Sequence, residues 1–353
     1  MDNSRDTKDH INWKLWTGLL ISAVSIYLAL RKIDFAALWK VISGCSIHYL
    51  LLACLINLFQ IVVRAWRWDI FLQPVKKTGF SNRLLSVIIG FAANCLLPAR
   101  LGEFIRADHL GQREGVSRSS IFATIVIERL ADGLTLLLVL LIGLMCVTFP
   151  EDMRSFSVGL KSAGIVLFIS YVLIIIFLIG FRLRPDLYLT ILKKSLFFLP
   201  GKARLKIIDI VRKFGMGLMP LRGLYGWGMI IFYSILLWSL SLFQIQFIGH
   251  SIGLSFPFIS AFIVLSMAAF GVMIPSAPGY IGSFHLAVQY GFMFLGISRE
   301  EGLSAAILYH ASFFFPTIFI GVMAYIITNL GHGKRFINDL EVQDSRRGVK
   351  GET

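Results

Sequence analysis

Six apolar runs constrain the fold of this chain more than any other feature of its sequence. A membrane-spanning helix needs about 20 predominantly apolar residues. The six runs lie at 13–30, 46–65, 119–149, 158–181, 223–249 and 303–329. Two weaker apolar segments are found at 83–97 and 256–277. We therefore predict an all-α, polytopic integral membrane protein with about eight membrane helices in a single membrane domain, residues 1–353.

The overall composition agrees with a membrane protein and argues against other classes. Hydrophobic residues make up 56% of the chain and charged residues 15%, whereas a soluble domain carries about 25% charged residues. A net charge of +14 is typical of cytoplasmic loops that face anionic lipid, so we expect no nucleic-acid partner. The four cysteines lack metal-ligand spacing, and no GxxxxGK[ST] motif occurs. We expect neither a metal nor a cofactor.

Helix-breaking residues stand where each of the two weaker apolar segments ends. The first stretch reads PARLGEFIR (98–106) and the second reads PSAPGYIGSFH (275–285). Such breakers are tolerated at membrane depth only where the freed backbone groups are buried in protein or line a polar cavity. We predict that both stretches turn helical hairpins that line a site. The residues predicted to form these turns are Pro98, Gly102, Pro278, Gly279 and Gly282.

The distribution of Lys and Arg predicts which side of the membrane each loop faces. Segment 182–222 contains ten Lys and Arg residues and is predicted to be a basic cytoplasmic loop, within which 204–214 has the pattern of an interfacial amphipathic helix. The tail, 331–353, is also predicted to be cytoplasmic. These placements agree only if 83–110 is a re-entrant hairpin opening to the cytoplasm and 256–296 one opening to the outside, which leaves six full spans.

The two breaker motifs belong to a longer internal repeat. Pro98 is followed by GVSR and Pro278 by GISR, at almost equal distances, and each motif leads into a long apolar run. We therefore assign 46–149 to repeat 1 and 223–329 to repeat 2. With the loop charges, this indicates an inverted-topology repeat, which is typical of transporters that open one site alternately to each side.

Ionisable residues within the apolar runs are the candidate site residues. Such residues normally face a bundle interior and are functional, although Glu128, Arg129 and Asp132 could alternatively lie solvated at the headgroup level. Arginine binds a headgroup phosphate in a bidentate way, and histidine changes charge near neutral pH. The predicted substrate-binding residues are Arg100, Glu103, Arg106, Glu128, Arg129, Asp132, His285 and His310.

Four stretches of this sequence, RAWRW, NCLLPARLGEFIR, ERLADG and PSAPGYIGSFH, resemble the transmembrane region of lysylphosphatidylglycerol synthetases over roughly residues 10–330. That region also occurs alone in flippase-like bacterial and archaeal membrane proteins. The resemblance implies movement of lipids or lipid-linked precursors between leaflets. We expect no lipid aminoacylation, because no synthetase domain follows the membrane region here. RAWRWDIF (64–71) is also typical of an interfacial anchor because of its tryptophans.

The chain departs from the family pattern in its second half. Tyr280 stands where the resemblance implies a glycine, His285 where it implies a glutamate, and His310 where it implies an arginine. A fixed ion pair is thereby replaced by two groups that titrate near neutral pH. We therefore predict that both histidines make the activity pH-dependent.

These observations favour a flippase-like transporter of an anionic lipid or lipid-linked precursor, with no catalytic residue. One alternative is an integral membrane transferase acting on a lipid, in which Glu128 and Asp132 serve as acid and base or hold Mg²⁺. Another is a non-catalytic partner of a lipid-modifying complex. The expected partners are membrane lipids, a second copy of the chain, or a lipid-modifying enzyme. The expected location is the bacterial or archaeal inner membrane.

Overall fold

The protein is helical throughout the part of the chain that the computed structural model describes, which is 4–97, 100–147, 154–197, 200–217 and 223–348. The helices are α1 Ser4–Leu30, α2 Phe35–Ser43, α3 Ile47–Leu72, α4 Phe80–Leu96, α5 Gly102–Glu114, α6 Arg118–Cys146, α7 Arg154–Leu183, α8 Pro185–Ser195, α9 Gly201–Gly217, α10 Gly223–Ser251, α11 Ala261–Met273, α12 Ser283–Met293 and α13 Arg299–Gly348. The predicted all-α fold of a polytopic membrane protein is confirmed. The predicted turn residue Pro98 lies outside the described residues.

Three helices in the described ranges are long and apolar enough to cross a membrane: α3, α10 from Tyr225, and α13 as far as Thr328. Shorter apolar helices occupy Trp16–Leu30, Phe80–Leu96, Ser162–Leu178 and Phe258–Met273. The total of six full spans stays a prediction.

Two helical hairpins form where the breaker motifs predicted them. Helix α4 packs along α5, and α11 packs along α12. Helices α5 and α12 contain 13 and 11 residues, so each rises no more than about 20 Å, which is less than the roughly 30 Å of a bilayer core. Glycine permits the close approach within each pair: a Cβ on Gly102 would lie 2.0 Å from the carbonyl oxygen of Gly90, and one on Gly271 would lie 2.8 Å from Cα of Phe284.

The long helices α3 and α10 run antiparallel against each other. Gln60 hydrogen-bonds Gln244, with 3.4 Å between Nε2 and Oε1. Farther along α3, Arg67 hydrogen-bonds Ser234, which lies earlier in α10. Each hairpin also contacts the last long helix of the other half, α4 with α13 and α11 with α6. An inverted repeat requires that α3 and α10 run antiparallel and that each hairpin contacts the other half. The repeat boundaries and the orientation in the membrane remain predictions.

The predicted basic loop 182–222 contains two helices, α8 and α9, in its described part. A helix is present at 204–214, as predicted, and forms part of α9, while its interfacial position stays a prediction. Its apolar residue Val211 packs with Ala123 of α6 and Phe181 of α7. This part of the apolar face is therefore covered by protein, which the charge pattern alone did not indicate.

Helix α1 holds the turn of the second hairpin. The Ser22 hydroxyl donates to the carbonyl of Ile281 and accepts from the backbone N–H of Ala277, at 2.8 and 2.7 Å. At Gly282, whose φ is +94°, a Cβ would come within 2.6 Å of the Ser22 carbonyl oxygen. The predicted turn glycine is thus needed both for its left-handed backbone and for the close approach of α1.

Candidate functional site

A cavity of about 300 Å³ lies between the two predicted halves of the protein. Helices α3, α4 and α6 contribute to its wall from one half, and α10, α11 and α13 contribute from the other. Both hairpin turns reach it, through Arg100 and Tyr280. This volume is at the small end of the range for ligand pockets. The helix breakers therefore place two turns at one internal site.

The two turns present similar backbone conformations to the cavity. Arg100 has φ of 54° and Tyr280 has φ of 60°, and each follows the proline of its breaker motif by two residues. A bulky residue in this left-handed region costs of order 1–3 kcal/mol and persists only where the surroundings hold it, often at functional sites. The Arg100 guanidinium lies near the Tyr280 hydroxyl, and both side chains line the cavity, so the two turns meet there.

A cluster of four arginines and three carboxylates lies beside the cavity. We call it the charge cluster. Helices α3, α5 and α6 supply its members because their buried faces meet there. The charge cluster consists of Arg64, Arg67, Glu103, Arg106, Glu128, Arg129 and Asp132.

Glu128 is the centre of the charge cluster. Its side chain is fully buried and is approached by Arg67 at 3.2 Å, Arg106 at 2.9 Å and Arg129 at 2.8 Å. A buried carboxylate must be compensated in this way, since an unpaired one is very costly at membrane depth. The alternative that this part of α6 lies solvated at the headgroup level does not fit a side chain with no exposed area.

Asp132 lies one turn beyond Glu128 on the same face of α6, because residues four apart are neighbours on a helix surface. Its oxygens lie 2.7 Å from Arg67 Nη1, 3.4 Å from Arg129 Nη2 and 3.8 Å from Arg64 Nη1. Arg67 and Arg129 therefore bridge both carboxylates, whereas Arg64 makes one long contact. Of these three arginines, Arg64 is the most weakly ion-paired.

The α5 residues close the charge cluster from the side of the first hairpin. Glu103 Oε1 lies 3.7 Å from Arg129 Nε, which pairs a carboxylate of α5 with an arginine of α6. The Arg106 guanidinium stacks over the Trp68 ring at 3.7 Å from its centroid, and Trp68 in turn donates to the hydroxyl of Thr124. A cation–π contact of this kind is strongest when it is desolvated, as here.

Only some of the predicted site residues reach the cavity. Arg100, Glu103, Arg129 and Asp132 line its wall. Glu128 and Arg106 do not line it, and they stand behind the wall as partners of residues that do. The structure thus places six of the predicted residues around one site in two layers, a lining layer and a supporting layer. Their part in binding a substrate remains a prediction.

The interpretation of RAWRWDIF as an interfacial anchor is wrong for most of its residues. Trp68 and Arg67 have no exposed area, and Arg64 lines the cavity. Trp66, which is 39% exposed, is the one tryptophan of this stretch that suits an anchor. Two arginines at i, i+3 at the end of an apolar helix were a signal for a buried face, but the tryptophans suggested the membrane surface instead.

The two predicted histidines meet in the second half of the site. The rings of His285 and His310 lie 4.7 Å apart, centroid to centroid. His310 Nε2 hydrogen-bonds the Gly279 carbonyl at 2.7 Å, and His285 Nδ1 accepts from the backbone N–H of Gly282 at 3.4 Å. Neither ring lines the cavity, whose wall here is Phe284. The histidines contact the second turn without lining the cavity.

The carboxylates of the charge cluster are poorly suited to bind a divalent cation. Glu128 is approached by three arginines and Asp132 by three, so little negative charge is left for a metal ion. Across the described ranges, no group of three or more His, Cys, Asp or Glu side chains is arranged to hold a metal.

Comparisons with known proteins agree with this membrane architecture. The chain is 24% identical over 297 residues to a UPF0104 membrane protein of Pyrococcus horikoshii, which covers 80% of this chain and 88% of that protein. It is 29% identical over 117 residues to a UPF0104 membrane protein of Methanocaldococcus jannaschii, covering 32% of this chain and 33% of that protein. Residues 15–321 match the family described as the lysylphosphatidylglycerol synthase TM region, and the chain belongs to this family of multi-pass membrane proteins.

Proposed function

We propose that this protein moves an anionic lipid or lipid-linked precursor between the leaflets of a membrane in a flippase-like manner. The observation that carries the proposal is the excess of arginine around the cavity. Four arginines and three carboxylates form the charge cluster, and Arg100 adds a fifth guanidinium to the same cavity. A buried surplus of positive charge is costly until an anion compensates it.

The shape of the site supports movement rather than simple binding. The cavity is lined by the antiparallel helices α3 and α10, and the turns of both hairpins reach it. Transporters with inverted repeats bind substrate at such an interface, where broken helices end, and open it to each side in turn. Arg100 of one turn lies near Tyr280 of the other, so both turns would take part in the same movement.

A phosphate group is the anion that best suits the arginines lining the cavity. Arg64, Arg100 and Arg129 line the wall, and a guanidinium offers paired donors that match two phosphate oxygens. The long acyl chains would remain in the membrane while the headgroup enters the cavity. Energy would come from a proton gradient or from none.

The setting of this activity follows from the same proposal. The membrane would be the cell membrane of a bacterium or archaeon, with 331–353 in the cytoplasm. The partners would be membrane lipids, with a second copy of the chain or a lipid-modifying enzyme as a further partner. We infer a transporter rather than an enzyme, because arginines already surround the carboxylates that a lipid transferase would use as acid, base or metal ligands.

Purified protein in liposomes tests the proposal directly. Fluorescently labelled phosphatidylglycerol, which is anionic, and phosphatidylcholine, which is zwitterionic, are placed in one leaflet, and their appearance in the other is followed. The proposal expects faster movement of the anionic lipid than protein-free liposomes show. Chemical turnover of the lipid would instead support a transferase, and neither movement nor turnover would support a non-catalytic partner.

A further inference from the structure

The part of the cavity farther along α3 from the arginines is built from amides. Asn57 and Gln60 line the wall on the same helix as Arg64, which places Asn57 about 10 Å from Arg64 along the helix axis. Gln244 of α10 faces Gln60 at this level. All three amides are buried, with 8%, 7% and 3% of their area exposed. The large majority of buried side-chain polar atoms have at least one hydrogen-bond partner.

A chain of hydrogen bonds fixes which atom of Gln60 faces the cavity. Ser312 donates to the backbone carbonyl of Tyr309, which can only accept. Ser312 therefore accepts from Nε2 of Gln244, and Oε1 of Gln244 accepts from Nε2 of Gln60. In this series of hydrogen bonds, Oε1 of Gln60 is the terminal atom and has no hydrogen bond within the series. That oxygen is an acceptor without a donor among the residues that the structure describes.

Asn57 is oriented by a similar argument. Its Nδ2 donates to the hydroxyl of Thr317 at 3.1 Å and points to the carbonyl of Phe313 at 3.5 Å. Because a carbonyl only accepts, the amide nitrogen must face α13, and Oδ1 is the remaining polar atom. Within the described ranges, no side chain or backbone group donates to it. The cavity therefore presents two acceptors whose orientation is set by hydrogen bonds to neighbouring residues of α10 and α13.

Trp238 of α10 adds a donor to this wall. The antiparallel pairs Gln60–Gln244 and Arg67–Ser234 place Trp238 at about the level of Arg64, one turn from the amide of Gln60. Its indole Nε1 is buried without a hydrogen-bond partner in the described part of the chain, and its ring lines the cavity. A buried indole N–H normally finds an acceptor.

These atoms set requirements that a bare phosphodiester does not meet. A phosphodiester at neutral pH has no donor for the oxygens of Asn57 and Gln60. An ammonium group has donors, but the surplus of arginines repels it. A hydroxyl donates and accepts and carries no charge. A hydroxyl-bearing headgroup could thus donate to the two amide oxygens and accept from the indole.

We propose that the cavity selects phosphodiester lipids whose headgroup is neutral and hydroxyl-bearing, such as glycerol or a sugar, over lipids with an amine-bearing headgroup. The arginines hold the phosphate, while Asn57, Gln60 and Trp238 hold the headgroup hydroxyls. This selectivity rests on the proposed function and adds the chemical class of its substrate.

The test compares lipids that differ in one feature of the headgroup. Labelled phosphatidylglycerol, phosphatidylmethanol and phosphatidylethanolamine with the same acyl chains are followed in liposomes that contain the intact protein. Phosphatidylmethanol has the same charge as phosphatidylglycerol and lacks its hydroxyls. We expect phosphatidylglycerol to move at least about tenfold faster than either of the others, since two hydrogen bonds to buried acceptors are at stake.

Variants assign this preference to the amide oxygens. Gln60→Leu and, independently, Asn57→Leu should reduce the preference for phosphatidylglycerol over phosphatidylmethanol to less than about threefold. Ser241→Ala is the matched control, because Ser241 lines the same wall but donates within its own helix to Leu237. The two lipids are compared within each variant, so a loss of folded protein lowers both rates and leaves their ratio unchanged.

The outcomes separate this inference from the proposed function. If no lipid moves, the proposed function fails and the selectivity fails with it. If the two anionic lipids move equally fast in the wild type, the protein is a lipid transporter without selectivity for hydroxyls. If the leucine variants keep the wild-type ratio, the preference does not come from the amide oxygens, and the inference is overturned. Faster movement of phosphatidylethanolamine would also overturn the inference.

Discussion

The two helical hairpins share a backbone plan and differ in charge. In the first, the contact of α5 with α6 carries Arg106 against Glu128, with both side chains buried. In the second, the matching contact of α12 with α13 carries His285 against His310, and no ion pair joins them. One hairpin presents fixed charge to the cavity, and the other presents aromatic residues.

This difference shows that the turns and the charges of this fold vary independently. Both turns keep a left-handed residue two positions after the proline. Only the first is followed by residues that form an ion-pair network. The backbone of each hairpin is set by helix breakers and close glycine packing, and it therefore tolerates different side chains at the site. We expect the first half to determine binding and the second to adjust it.

The largest effect should come from Glu128, at the centre of the charge cluster beside the first hairpin. Glu128→Gln removes the carboxylate that three arginines approach, and we expect a loss of about 3–5 kcal/mol in the free energy of unfolding. Thermal unfolding in detergent measures it. Glu103→Gln is the matched control, since Glu103 makes one contact at 3.7 Å, and it should cost less than about 1 kcal/mol. Equal losses for both variants would contradict the central role of Glu128.

The next effect concerns lipid movement rather than stability. Arg129→Ala removes the cavity-lining arginine that contacts Glu103, Glu128 and Asp132, and we expect lipid movement to be abolished while the protein still inserts. Arg129→Lys should rescue it only in part, since the paired donors of the guanidinium are lost. Full activity of the alanine variant in the liposome assay would exclude Arg129 from the site.

A smaller effect is expected where the two halves touch. Tyr280→Phe keeps the aromatic ring and removes the hydroxyl that lies near the Arg100 guanidinium. Arg100 then loses a polar neighbour that competes with the ligand, and we expect the affinity for anionic lipid to rise by up to about fivefold, the equivalent of one hydrogen bond. Titration of lipid into the purified protein measures this. Tyr171→Phe, at another cavity tyrosine, serves as the control and should change nothing.

The smallest effect is expected from the two histidines beside the second hairpin. His285 Nδ1 accepts a hydrogen bond from Gly282 and cannot do so once it is protonated. We expect a small but measurable change in lipid movement, of at most about fivefold, between pH 5 and pH 8, and we expect His285→Gln and His310→Gln to remove it. A flat wild-type profile, or variants that keep the wild-type profile, would reduce both histidines to packing residues.

The sequence predicted the helices and turns better than it predicted the site. Apolar runs and helix breakers have strong local signals, so the hairpins and Gly282 followed from them. The buried position of Arg64 and Arg67 did not follow, because tryptophans beside arginines occur both at membrane surfaces and in packed interiors. Which of those applies is decided by α5 and α6, more than 30 residues away in the sequence.

Contacts made by α1 were also beyond the sequence patterns. Ser22 lies in an apolar run without special spacing, yet its hydroxyl binds the second turn on both sides. A single hydroxyl in a membrane helix gives no indication of its partner, which here is more than 250 residues away along the chain. The pairing of Gln60 with Gln244 was hidden for the same reason.

The central claim is that surplus arginine in the charged half holds an anionic lipid, and native mass spectrometry of the purified protein tests it most directly. Arg64→Gln removes a cavity-lining arginine with one long ion pair, while Arg118→Gln removes one on the surface whose side chain is 69% exposed. We predict that the wild type and Arg118→Gln retain an anionic lipid, and that Arg64→Gln retains at least about tenfold less. Equal retention by all three proteins, or no bound anionic lipid in the wild type, would contradict the account.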